Sequence, residues 1–340
     1  MLTDRARREG LELSVVVPCY NEEAVLPELI RRLGPACAAA AGDAYEVILV
    51  NDGSRDRTWP ILCEMAEANP HVVALNLSRN RGHQLALTAG LTFCRGRRVL
   101  VIDADLQDPP ELLPELMAVL DRGADVVYGQ RIEREGEGFF KRATAFLFYR
   151  ALAVFSEVEI PNDSGDFRLM DRKVVDALNG MPEQHRFIRG MIAWLGFRQV
   201  PFRYTREARF AGRTKYPLRK MIRFASDALT GFSISPLRLS SVLAVLCFLL
   251  TGVLSAYVIY GWLVLSVVRG WTSLVLAFLF FSGVQLLVLG VMGEYVGRIY
   301  VEAKRRPLFI VSEIVSQEGR AAESLKVAER ILTRQVGVDR

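Results

Sequence analysis

Residues 239–268 contain no Asp, Glu, Lys or Arg, and after the single Arg269 neither do residues 270–293. A helix that crosses a bilayer needs about 20 mostly apolar residues, and both windows exceed that. The alternative is a pair of buried core helices, but core helices of this length rarely lack any charge. The two windows therefore predict a transmembrane hairpin over 239–296. Arg219, Lys220, Arg223 and Arg238 precede the first span, and Arg298, Lys304, Arg305 and Arg306 follow the second. Only Arg269 lies between them. The excess of positive charge outside the pair predicts both termini in the cytoplasm, with a short outer turn around Arg269-Gly270-Trp271. Residues 1–10 are charged and the apolar run Leu13–Val17 is short, so no secretory signal is expected.

The formal charge of +5 is a modest basic excess. Its Lys and Arg clusters flank the spans, which favours an anionic lipid surface over nucleic acid as partner. The five cysteines show no metal-like or redox spacing, and free thiols in a reducing compartment are expected.

The first half alternates strand and helix signals. Leu13–Pro18, Tyr45–Val50, Val72–Leu77, Arg98–Ile102 and Ala124–Tyr128 read as short, near-continuous apolar strands. Between them, Glu22–Leu33, Asp56–Asn69, Gly82–Cys94 and Pro110–Arg122 read as helices. This order predicts a Rossmann-like, mostly parallel α/β sheet with helices on both faces. Phe139–Val158 and Tyr216–Phe232 are apolar stretches broken by basic residues. They are expected to be amphipathic helices at the headgroup plane, or else to pack on the sheet or a subunit partner.

Ligands of such sheets bind outside the carboxyl ends of the strands. Polar residues collect at those ends here: Tyr20-Asn21-Glu22, Asp52, Arg79-Asn80-Arg81 and Asp103-Ala104-Asp105. The Asp103/Asp105 pair follows a strand, where the backbone turns. One carboxylate can then reach a metal and the other a ribose or a bridging water, with Gln107 and Asp108 adding oxygen ligands. Mg2+ and Mn2+ use hard oxygens of this kind, typically one or two carboxylates plus substrate phosphates. Asp52 can accept from a base N–H, or serve as an Asx-turn before the next helix. Arg81, in Arg-Asn-Arg-Gly-His, offers a fork for donor phosphate, or the stretch is equally a loop leading into a helix. His83 reads better as a capping or core histidine. Asp163-Ser164-Gly165-Asp166-Phe167-Arg168 reads as a carboxylate-rich loop ahead of a helix, able to pair with basic residues or orient an acceptor. Arg203 to Tyr216 carries Arg206, Arg209, Arg213 and Lys215 around Gly212. It reads either as a mobile basic loop closing over phosphates or as a solvated linker held to anionic lipid.

Taken together, VVVPCYNEE, VNDGSRDRT, SRNRGHQLALTAGL, DADLQDPPE, YGQR, SGDFRLMDRKV, GRTKYPLRKM and GEYVGRIYVEAKRRPLFIV resemble family 2 glycosyltransferases of the GT-A fold. The likeness is to those acting on polyprenyl phosphates: the bactoprenol glucosyltransferases and dolichol-phosphate mannose synthase. It covers nearly the whole chain to about residue 311, spans included. The resemblance implies donor contacts at Pro18, Tyr20, Asn21, Glu22, Asp52 and Asp103. It implies metal and diphosphate binding at Asp103, Asp105 and Gln107, with Mg2+ or Mn2+ as cofactor. Arg131 is similar to a phosphate-contacting arginine, and Asp166 to an acidic residue with a catalytic or acceptor-orienting role. Asn51 departs from the second aspartate of many members, and Arg213 from the small or acidic residue usual before Thr-Lys-Tyr.

The expected organisation is a cytoplasmic catalytic domain over 1–215, a juxtamembrane amphipathic helix over 216–238, the hairpin over 239–296 and a cytoplasmic segment over 297–340. Asp103, Asp105 and Asp166 would be catalytic, with Arg206, Arg209 and Lys215 joining Arg131 at the acceptor phosphate. The expected reaction is inverting transfer of a sugar, glucose first, from a UDP-sugar to undecaprenyl phosphate by a homo-oligomer, tetrameric as the resemblance implies. The rivals are a GDP-mannose-using synthase and a catalytically inactive membrane nucleotide-binding scaffold. A processive polysaccharide synthase is disfavoured, because a Gln-x-x-Arg-Trp motif and further spans are missing.

Overall fold

The computed structural model describes residues 10–131, 164–205 and 270–317, with a few helical residues between 245 and 260. Both expected interface helices, the loop from Arg206 through Lys215 and most of the first span lie outside the described residues.

Five strands and four helices follow the expected alternation. They are β1 (Leu13–Cys19), α1 (Leu26–Ala41), β2 (Tyr45–Asn51), α2 (Thr58–Ala68), β3 (Val72–Leu77), α3 (His83–Phe93), β4 (Arg98–Val101), α4 (Leu113–Asp121) and β5 (Val126–Arg131). Beyond them lie β6 (Ser164–Asp171), α5 (Arg172–Gly180), α6 (Ile188–Trp194), β7 (Gln199–Tyr204), α7 (Trp271–Ala303) and β8 (Val311–Val315). The strands form one sheet in the order β7-β5-β6-β4-β1-β2-β3-β8. β1, β2, β3 and β4 pair in parallel, as do β5 and β7. β6 runs antiparallel to both β4 and β5, and β8 antiparallel to β3. The sheet is thus mixed, and the segment from Ser164 to Arg168 is strand, buried from Gly165 onward, correcting its reading as a loop ahead of a helix. The fifth strand also runs three residues past its expected end, to Arg131.

All of β1 is buried, so alternate residues serve opposite layers. Val15 and Val17 pack toward α1, α2 and α4, while Val16 packs toward α3, α5 and α6. Helices therefore cover both faces, as the apolar runs imply. Helix α3 lies unusually close to the sheet because small residues face it. A Cβ on Gly90 would run into Val16 Cγ1 and sit 3.1 Å from Val50 Cγ2.

Among the described residues, one helix is long and apolar enough to cross a membrane by length and composition. It is α7, with 33 residues, or about 50 Å at 1.5 Å per residue. Leu274, Phe278, Leu286, Leu287, Val296 and Ile299 stand exposed on it. An apolar surface of that extent calls for a cover that is not water. The helix ends at Ala303 and, after a turn, the chain enters the sheet as edge strand β8. Leu308 and Phe309, in that connection, are buried in the layer that holds α3.

Gly90→Ala separates packing from propensity. In a helix the change gains about 1 kcal/mol of intrinsic propensity, but overpacking a filled core costs about 1–3 kcal/mol. Because the added methyl meets two β-branched side chains of central strands, the clash is expected to win. Thermal unfolding should show a lower Tm for Gly90→Ala than for the parent.

Candidate active site

Strand β4 stops at Val101, and the chain from Asp103 to Asp108 alternates between open and buried positions. Asp103, Asp105 and Gln107 are partly exposed, while Ala104, Leu106 and Asp108 are buried. The backbone turns at Ala104–Asp105, as expected after a strand end, and that turn leaves Asp103, Asp105 and Gln107 on the partly open side. Asp105 Oδ1 accepts the Gln107 backbone N–H at 3.2 Å. Buried Asp108 accepts from the Tyr204 hydroxyl. Leu106 sits at φ 56°, a left-handed conformation costly for a leucine. Strain of that kind is kept where the surroundings fix it, commonly at functional sites.

The antiparallel register of β6 supplies the next group. Val101 pairs with Arg168, so two residues further along each strand Asp103 comes opposite Asp166. Asp166 is 5 % exposed. Its Oδ2 lies 3.0 Å from His83 Nε2, and its Oδ1 accepts from Arg189 Nε at 2.7 Å. Gln84 Nε2 approaches Oδ2 at 3.4 Å, while Gln84 Oε1 accepts the Ile188 N–H at 3.0 Å and so fixes the start of α6. His83 Nε2 is also 3.5 Å from Asp103 Oδ1. Oδ1 of Asp103 is buried and has no hydrogen-bond partner. One ligand atom each from His83, Asp103 and Asp166 lies within 4.8 Å of the others, close enough to share a cation.

The charges in this cluster shift one another. Burial favours the neutral ring of His83, but the Asp103 charge and the hydrogen bond to Asp166 outweigh it, raising the imidazole from 6.5 to about 9. Burial pushes Asp166 up, yet the Arg189 charge and the His83 hydrogen bond hold it well below the usual carboxylate range. For Asp103, burial dominates and its pKa rises, opposed by His83 and reinforced by Asp166, Asp108 and Asp105. Arg168, also buried, is lowered by burial to about 10, with Asp166 acting against that. Its Nη2 donates to the Gly165 carbonyl at 3.0 Å.

On the other side of β1, Asp52 closes β2. Its Oδ1 accepts the Arg81 N–H at 2.6 Å and its Oδ2 the Gly82 N–H at 2.9 Å. Asp52 is raised by burial, with both N–H bonds working in the opposite sense. It does not cap α2; Asp56 Oδ1 takes the Thr58 N–H at 3.0 Å instead. Gly53 has φ 64°, and a Cβ there would come within 2.5 Å of Asn80 N, so only glycine admits the Arg79–Asn80 backbone so close. Asn21 and Glu22 are stitched to the same loop: Asn21 N–H donates to Ser54 Oγ at 3.0 Å, Arg55 N–H to Asn21 Oδ1 at 2.9 Å, and Glu22 N–H to Thr58 Oγ1 at 2.9 Å. Pro18 is buried within β1, and Tyr20 stands half-buried just past it. Arg81 directs its guanidinium to the carbonyls of Pro307 and Leu308. Arg131 ends β5 beside Tyr204 of β7.

The structure thus gathers Pro18, Tyr20, Asn21, Glu22, Asp52, Asp103, Asp105, Gln107 and Asp166 at one sheet edge. It adds His83, corrected from a cap or core residue, and Arg189, which sequence reasoning missed. His83 had a signal, as the first residue of a helix after a polar strand end. Arg189 had none, because only the fold carries α6 to Asp166.

The open sheet, the strand-end carboxylates and the paired Asp–His–Arg cluster make up an α/β architecture with its polar site at the carboxyl ends of the strands. Comparison with known proteins is specific. The glycosyl transferase family 2 profile matches residues 14–178. The uncharacterized glycosyltransferase YkcC of Bacillus subtilis (strain 168) is 46% identical over 91% of this chain and 96% of its own. The prophage bactoprenol glucosyl transferase homolog of Escherichia coli (strain K12) is 37% identical over 89% of this chain and 99% of its own. The bactoprenol glucosyl transferase of Shigella phage SfV is 38% identical over 88% and 98%. The chain belongs to glycosyltransferase family 2 and is a glycosyltransferase.

The raised imidazole carries a stability signature. A group whose folded pKa exceeds its unfolded value stabilises the fold fully below the unfolded value, and that contribution drains away as pH rises to the folded one. For His83 the window runs from 6.5 to about 9. Metal-free protein should lose its Tm advantage over His83→Gln steadily across that window, and a constant difference from pH 6 upward would refute the assignment.

Proposed function

We propose that the chain transfers a hexose, glucose first among the candidates, from a UDP-sugar to a polyprenyl phosphate of the undecaprenyl class. Transfer is a single displacement with inversion at the cytoplasmic face of a membrane. The names of the bactoprenol glucosyl transferase relatives support the acceptor and the sugar. The exposed apolar surface of α7 supports the membrane. One observation carries the site: a buried Asp103 oxygen without a hydrogen-bond partner, flanked by Asp166 and His83.

That oxygen fits a hard divalent cation, since it makes no hydrogen bond and its one charged neighbour, His83, stands 3.5 Å away. Asp103, Asp105 and Gln107, all partly exposed at the turn after β4, would hold Mg2+ or Mn2+. When bound, the cation offsets charge on the departing diphosphate. Asp52 accepts one N–H on each oxygen and so keeps acceptor capacity for a base N–H. Tyr20, Asn21 and Glu22 border the same crevice.

The acceptor phosphate needs no strong base, because its second pKa is about 6. A depressed Asp166 suits that chemistry: it stays ionised and orients neighbours instead of collecting a proton. Arg189 and His83 offset its charge, so that an anionic headgroup does not face a bare carboxylate. Catalysis then rests on positioning and charge stabilisation. Arg131, Arg206, Arg209 and Lys215 are the basic residues assigned to the lipid phosphate.

Asp105→Ala is expected to abolish turnover; full activity at saturating metal would remove Asp105 from the metal site. Purified membranes supplied with undecaprenyl phosphate and radiolabelled UDP-glucose should yield chloroform-extractable label. Label from GDP-mannose instead would reassign the donor, and nucleotide binding without glycolipid from any donor would leave an inactive scaffold.

A further inference from the structure

Arg81 stands between two things that sequence reasoning keeps apart, the donor crevice and the foot of the apolar helix. Its backbone N–H and that of Gly82 occupy both oxygens of Asp52. Its side chain points the other way. Nε donates to the Leu308 carbonyl at 2.9 Å, and Nη2 to the same carbonyl at 2.7 Å and to that of Pro307 at 3.2 Å. These carbonyls belong to the short connection between α7 and β8. The connection is fixed at further points: Ser78 N–H donates to the Ile310 carbonyl at 2.9 Å, and the Gln184 N–H to Glu302 Oε1 at 2.8 Å. Leu308 and Phe309 are buried beneath it.

A guanidinium making charge-assisted bonds to two successive carbonyls is a strong, directional clamp. It leaves those N–H groups turned away from the Asp52 carboxylate. We propose that Arg81 is a positioning residue: it holds the Arg79–His83 loop in register with Asp52 by fastening it to the foot of α7, and it acts on the donor only through that loop. The helix foot is then part of the wall that sets donor affinity, and a ligand at Asp52 tightens the joint in return, because coupling between sites is reciprocal. This deepens the donor reading of Asp52 and rests on it.

The test uses the full chain in lipid nanodiscs with UDP as probe. Calorimetry measures binding, and hydrogen exchange follows the amides of residues 307–315. The expected result is that UDP binds the parent and slows exchange in that segment, and that Arg81→Gln loses the protection and raises the donor KM by more than it lowers kcat. Phe309→Ala, which loosens the joint without touching Arg81, should also raise the donor KM, and adding Arg81→Gln to it should cost much less than in the parent. Full additivity of the two changes means that Arg81 grips the donor directly and overturns the proposal. So does UDP binding that leaves exchange at 307–315 unaltered. Failure of UDP to bind the parent removes the donor reading itself, and the proposal with it. If Arg81→Gln does not fold, Arg81→Lys, which retains a donor but not the fork, carries the same comparison.

Discussion

Asp103 and Asp166 come together beyond the β4–β6 pair, one partly exposed and one buried, and two carboxylates held this close cannot both ionise without compensation. The register decides this before any side chain does, since Val101 opposite Arg168 brings residue 103 opposite 166. Everything around the pair then reads as an answer to that repulsion. His83 takes up a position within 3.5 Å of one carboxylate and 3.0 Å of the other. Arg189 reaches Asp166 from α6, and Arg168 lies buried alongside. The compensation is uneven: Asp166 receives two strong partners and is depressed, while Asp103 has only the longer His83 contact, no hydrogen bond on that oxygen, and is raised. An unequal pair of this kind fits the proposed division of labour, one carboxylate kept as an anion and the other left to meet a ligand.

The close packing of the helix on this side bears on the same cluster. His83 is the first residue of α3, so its reach into the site is set by how near α3 lies to the sheet. Ala86, Ala89 and Gly90 allow that approach where larger residues would hold it off. Packing in the interior and charge balance at the rim are therefore one constraint seen from two ends, and the positive end of the helix dipole adds to the compensation.

Much of this was legible in the sequence, and for a definite reason. Parallel strands buried on both faces are apolar throughout, so polar residues mark where each one ends. That is why Tyr20, Asn21, Glu22, Asp52 and the Asp103–Gln107 segment could be placed at one edge without coordinates. What escaped depends on long-range pairing. The stretch from Ser164 to Asp171 carries charges at Asp166, Arg168 and Asp171, an alternation that looks like a polar loop until its insertion between β4 and β5 buries it. Strand β8 has only five residues and follows a helix that reads as a membrane segment, so nothing local marks it as the sheet's outermost strand. Arg81 was legible as a fork for oxygen, but its acceptors lie more than two hundred residues away, at a helix foot, instead of on a phosphate.

Edge strand β8 also bears on how the sheet would work beside the bilayer of the proposed function. A flexible tether would leave the catalytic edge free to tumble relative to the lipid headgroups, and each encounter would have to be oriented afresh. Here the connection is short and anchored at its centre: the chain leaves α7 at Ala303, turns through Arg305 at φ 46°, buries Leu308 and Phe309, and enters the sheet at Val311. Its hydrogen bonds end on β3 and on the loop that holds Asp52. An edge strand left open invites pairing with other chains, and covering β3 with the segment that leaves α7 closes that edge while fixing the sheet's attitude to the helix. The carboxyl ends of the strands are thereby held at a set height above whatever the apolar face of α7 is sunk in.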